Sequence, residues 1–131
     1  MPIDKDLTEA MAIHYAAAEL SRRNWRVFLP VSGRVKGYDF VAWRGDQSSR
    51  VEVKGLRSTG SLWPLPRLER DVILVMVRAV VDGPPEYYIA TATDLPEAYQ
   101  PFSGDPGDHE WKPWKDKNPN RWKDRWDKFE K

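Results

Sequence analysis

The chain has 131 residues, 40% of them hydrophobic, which is enough for one domain with a buried core and too few for two. Its 21 Lys and Arg against 20 Asp and Glu leave a net charge of +1, so any affinity for nucleic acid has to come from local patches and bound metal, not from bulk charge. Cysteine is absent, which excludes disulfides, thiolate metal sites and a cysteine nucleophile, and the longest apolar run, Val72 to Val81, is too short for a membrane span and is broken by Arg78.

Met1 to Asp6 carries no signal-peptide pattern, so the expectation is a soluble, cytoplasmic protein with no membrane partner. From Asp6 to Arg23 the alanine-rich segment predicts a helix, with Asp6 as its cap and Ile13, Ala16, Ala17 and Leu20 as its apolar stripe. Glu9 lies three residues past Asp6, as in a capping box, and one turn before Ile13 on the same face. His14 has no second His or acid at metal-ligand spacing and reads as a surface or packing residue. Arg26 to Leu29 is the first predicted strand, and the loop Pro30 to Lys36 follows it. Within that loop Arg34 and Lys36 either approach a phosphate backbone or belong to a segment that only turns the chain.

Asp39 precedes the apolar run Phe40-Val41-Ala42-Trp43, and the turn-rich stretch Gly45 to Ser49 folds the next strand, with Val51-Glu52-Val53-Lys54, back beside it. Side chains alternate along a strand, so Glu52 and Lys54 share one face while Val51 and Val53 bury the other. Hairpin pairing then brings Asp39 toward both. Two carboxylates at close range repel, and a hard divalent cation such as Mg²⁺ or Mn²⁺ relieves that repulsion through oxygen ligands. With an ammonium beside them, the predicted chemistry is phosphodiester hydrolysis. Glu-x-Lys alone carries little weight, because any half-exposed strand alternates Val with charge.

Gly55 to Arg67 shows little periodicity and reads as a loop. Arg57 and Ser58 stand where side chains meet phosphate oxygens, and Trp63 either stacks on a base or covers the core. Asp71 to Val77 is continuous and β-branched, as in a buried central strand, and Glu86 to Thr91 follows the turn Asp82-Gly83-Pro84-Pro85 as its antiparallel partner. Thr93 to Ala98 has the pattern of a short capped helix start, and Phe102 to Pro119 that of an irregular surface segment. Asn120 to Phe129 predicts a helix whose Trp122, Trp126 and Phe129 form one aromatic stripe docked on the sheet. Eight Lys or Arg against four Asp or Glu from Lys112 to Lys131 leave cations on this tail for phosphate contacts.

Asp39 at the head of the second strand and Glu52-x-Lys54 on the third, after a helix and a first strand, resemble the PD-(D/E)xK nucleases of restriction-endonuclease-like fold, among them small stand-alone relatives of the archaeal Holliday junction resolvases. The Pro of the leading motif is replaced by Tyr38. The resemblance covers about the first two thirds of the chain. It implies an α/β fold, a mixed sheet of about five strands flanked by an N-terminal helix and C-terminal helices. It implies a single nuclease-like domain over 1–131, with a Trp-rich basic extension over about 102–131 packed on it. It also implies an Mg²⁺-dependent endodeoxyribonuclease: Asp39 and Glu52 as metal ligands joined by the Val53 carbonyl, Lys54 on the attacking water or scissile phosphate, and Glu9 as an additional acid facing the metal. DNA is the implied partner, and a homodimer follows from one metal site cutting one strand. The alternative expectation is a catalytically silent module of the same fold that binds nucleic acid or a protein.

Overall fold

A computed structural model of the chain describes residues 5–30, 38–56, 63–64, 68–78, 83–94, 110–111 and 122–130. Helix α1 (Lys5–Arg22) repeats small and apolar residues at one-turn spacing, and Ala12, Ala16 and Leu20 along it are fully buried. The helix begins at Lys5, one residue before Asp6, so Asp6 lies within the first turn instead of capping it. Asn24 ends the helix in the left-handed conformation (φ 70°). The N–H groups of Asn24 and Trp25 return to the carbonyls of Ser21 (3.1 Å) and Leu20 (3.0 Å).

Strands β1 (Arg26–Phe28), β2 (Phe40–Arg44) and β3 (Gln47–Gly55) form an antiparallel meander. The β2–β3 turn is shorter than the five residues expected. Arg44 already pairs with Gln47, because Gly45 takes a left-handed φ of 63° and lets two residues reverse the chain, so Gln47, Ser48 and Ser49 join β3. Next in sequence is β4 (Trp63–Pro64), followed by β5 (Val72–Arg78), which pairs with β3 in parallel. Strand β6 (Glu86–Thr91) is antiparallel to β5, giving the sheet order β1-β2-β3-β5-β6. Strand β7 (Glu110–Trp111) pairs with β4 in a separate two-stranded sheet, inside a stretch expected to be irregular.

The β5 run is apolar without alternation because both its faces are covered. Ile73, Val75 and Val77 join Val51, Val53 and the α1 residues on one side of the sheet, while Val72, Leu74 and Met76 pack with Leu56, Leu68 and Tyr88 on the other. The chain is therefore α/β, with one mixed five-stranded sheet and an N-terminal helix.

Among the described residues the predicted C-terminal helix is not formed; a 3₁₀ turn (Trp126–Phe129) is the only helical part of 122–129. Backbone bonding explains the difference. Ile89 N–H donates to the Trp122 carbonyl (2.8 Å), Asp124 N–H donates to the Tyr87 carbonyl (2.9 Å), and Lys123 bridges Tyr88. These bonds lay 122–124 along the outer edge of β6, where Asp124 turns the chain at φ 53°. The aromatic stripe is split as a result: Trp122 is buried on the far side of the sheet from α1, while Trp126 and Phe129 are buried beneath α1. Of the eight tail cations, the three among the described residues face carboxylates of the chain, Lys123 toward Glu86 (3.6 Å), Arg125 toward Asp127 (2.9 Å) and Lys128 toward Asp94 (3.2 Å); the other five lie outside the described residues.

Residues 91–94 form a turn in which Asp94 accepts the Thr91 N–H and hydroxyl; the remainder of the predicted helix start, 95–98, lies outside the described residues. Among the described residues, no helix is long and apolar enough to cross a membrane.

Candidate active site

The hairpin register pairs Phe40 with Val51, and Asp39 N–H also donates to the Val51 carbonyl at 2.7 Å. Two consecutive residues thus oppose one, which is the arrangement of a β-bulge, and the strand bends where Asp39 enters it. The Asp39 carboxylate accepts the Val53 N–H through Oδ2 at 2.7 Å. Asp39 is thereby held to the residues on either side of Glu52, so the two acids lie across from each other. Lys54, one alternation further along β3, places its Nζ 3.5 Å from Glu52 Oε1. The side chains of Glu52 and Lys54 keep 20% and 32% of their exposure, so they are shielded yet open to a small ligand.

Burial pushes the Glu52 carboxyl above the usual carboxylate range, and the Asp39 charge pushes it the same way. Lys54 opposes both through its charge and a hydrogen bond, and the Glu9 charge adds a smaller upward push. Glu86 shows what a fully answered carboxylate looks like in this fold. Burial raises it too, but hydrogen bonds from Arg78 (2.7 Å) and Tyr88 (3.0 Å), with the charges of Arg78 and Lys123, hold it below the usual range. Around Glu52 one lysine faces two or three acids, and the local deficit of positive charge is what a divalent cation neutralises.

The donors present fit such an ion: Asp39 and Glu52 supply carboxylate oxygens, and the expected third ligand, the Val53 carbonyl, belongs to the residue whose N–H fixes Asp39. Among the described residues, no three His, Cys, Asp or Glu side chains cluster closely enough to hold a metal. Glu9, half-buried on α1, is thus within electrostatic reach of Glu52 without joining a ligand cluster. Glu19, a second helix acid, is engaged by Arg22 (3.0 Å) and Arg23 (3.2 Å).

Gly55, the residue after Lys54, sets how closely the helix approaches this strand end. A Cβ there would stand 2.6 Å from Ala12 Cβ and 3.3 Å from the Thr8 carbonyl oxygen, so the absent side chain is what lets α1 lie against the end of β3. The sequence reading puts this glycine at the head of the following loop, whereas it is the last residue of β3. That reading also passes over Arg50, although alternation puts it on the face of Glu52: its guanidinium stacks 5.5 Å from the Tyr38 ring and pairs with Glu69 (3.1 Å) and with Asp71. Of the predicted phosphate contacts, Arg34, Lys36, Arg57 and Ser58 lie outside the described residues, and for Trp63 the backbone alone is described, in β4.

No family model matches the chain, and neither a curated protein nor a solved structure matches it.

Proposed function

We propose that the chain is a metal-dependent endonuclease of PD-(D/E)xK type and restriction-endonuclease-like fold that hydrolyses DNA phosphodiester bonds. The observation carrying this reading is the meeting of Asp39, Glu52 and Lys54 on the β2–β3 hairpin, with a half-buried carboxylate pair that one lysine leaves undercompensated. The order of elements supports it: a helix, three antiparallel strands, the acid at the head of the second strand and Glu-x-Lys on the third.

Bound Mg²⁺ or Mn²⁺ would polarise a phosphoryl oxygen and lower the pKa of a coordinated water. Asp39 is preorganised for binding, since the Val53 N–H fixes its carboxylate before any ligand arrives. Glu52 supplies the second anionic oxygen. Lys54, tethered loosely at 3.5 Å, is positioned to turn from Glu52 toward the attacking water or the pentacovalent phosphate, whose added charge an ammonium stabilises.

Incubating supercoiled, linear, single-stranded and branched DNA with Mg²⁺ or Mn²⁺ tests the reading. Asp39→Ala, Glu52→Ala and Lys54→Ala are each expected to lower cleavage by about a hundredfold or more. Wild-type cleavage by all three sinks it. The same gel reads the oligomer: direct linearisation of supercoiled DNA fits two paired sites, and accumulation of nicked circles fits one.

A further inference from the structure

The sheet face that carries Glu52 and Lys54 continues, by alternation and register, through Arg50 and Ser48 of β3 to Val41 and Trp43 of β2 and to Arg26 and Phe28 of β1. Beneath α1 the opposite face of these strands is buried, but here Phe28 and Trp43 are 57% and 39% exposed. Their rings lie 6.0 Å apart, and the Arg26 guanidinium stands 5.9 Å from the Trp43 ring. Those six positions outside the candidate active site include two arginines and no acid. The second arginine, Arg50, lies over Tyr38, the residue before Asp39, and is paired with Glu69 and Asp71 from outside the strands, so Arg26 is the principal phosphate partner on this face. Aromatic rings interleaved with guanidinium groups thus run along one open face up to the acids.

We propose that this face is a stacking platform for unpaired nucleotides. Bases in a duplex stack on one another and offer no free ring face, whereas unpaired bases stack on exposed aromatics and their phosphates suit flanking arginines. Trp43 lies at the level of Ser48, four residues from Glu52, so a strand seated on its ring reaches the acids over about 13 Å. The delivery of that strand to Asp39, Glu52 and Lys54 rests on the nuclease reading; the binding itself needs no metal.

Fluorescence anisotropy in EDTA, with labelled oligothymidylate and oligouridylate of about 15 nucleotides and a DNA duplex of equal length, tests it. Both or either single strand should bind more tightly than the duplex. Trp43→Ala and Phe28→Ala should each weaken that binding about tenfold, with Trp43→Phe retaining it. Arg26→Gln should weaken it and lower the salt dependence by about one counterion. Melting curves identify any variant that fails to fold, and Trp43→Phe with Arg26→Gln then decide. Binding unchanged in Trp43→Ala and Arg26→Gln overturns the proposal, as does preference for the duplex. So does a self-associated wild type that Trp43→Ala converts to monomer without loss of binding, since the face would then belong to a second copy. Single-strand binding without cleavage at any metal concentration would remove the nuclease reading and leave the platform standing.

Discussion

Burial beside Asp39 makes the Glu52 carboxyl hold its proton more tightly in the folded chain than in the unfolded one. A carboxyl raised in this way adds stability that is complete below the unfolded pKa and is lost as pH rises through the folded one. At neutral pH an ionised Glu52 therefore costs the metal-free protein stability, and Glu52→Gln removes that cost while keeping the shape. In EDTA at pH 7 the variant is expected to be more stable than wild type by about 1 kcal/mol in a thermal melt. Added Mg²⁺ should raise the wild-type melting temperature and leave that of Glu52→Gln in place, because only the ionised pair binds the ion. A variant melting below wild type in EDTA would show that Glu52 is structurally paired. That Glu52 and Lys54 share a face was legible in the sequence, since side chains alternate along a strand; the burial that raises the Glu52 carboxyl was not, because it depends on how the strand packs.

At the scale of elements, the contact between α1 and β3 depends on Gly55. Gly55→Ala is expected to destabilise the protein by about 1–3 kcal/mol by overpacking, because the new methyl meets Ala12 Cβ at 2.6 Å. Denaturant midpoints measure the loss. An unchanged midpoint would mean that the helix rides freely over the strand end. Helix α1, the central β5 and the β5–β6 pair were legible because each has a strong local period or a continuous apolar run. Three features were not. The bulge at Asp39 depends on a backbone bond to Val51 that no residue type announces. The tail has helical spacing at Trp122, Trp126 and Phe129, yet its backbone finds better partners on β6 than within itself, and nonlocal bonding of that kind overrides a local period. The short β4–β7 pair joins segments distant in sequence, with two residues in each strand.

For the whole molecule, the tail is part of the core. Phe129 is fully buried, 5.7 Å from the Trp25 ring, and Trp126 packs at a tilt against Tyr87, 5.3 Å away. Phe129→Ala is expected to cost about 3–5 kcal/mol, a large share of a domain's stability, and to lower the denaturant midpoint accordingly. A loss under about 1 kcal/mol would mark the tail as an appendage. Because residues 122–124 occupy the outer edge of β6, one side of the sheet is already sealed, while among the described residues β1 has no neighbour on its other side. Growth of a fibre by strand addition needs a free edge at both ends of each unit. A sheet with a single open margin can meet one like itself about a two-fold axis and then has nowhere further to extend, so self-association by that route stops at a pair.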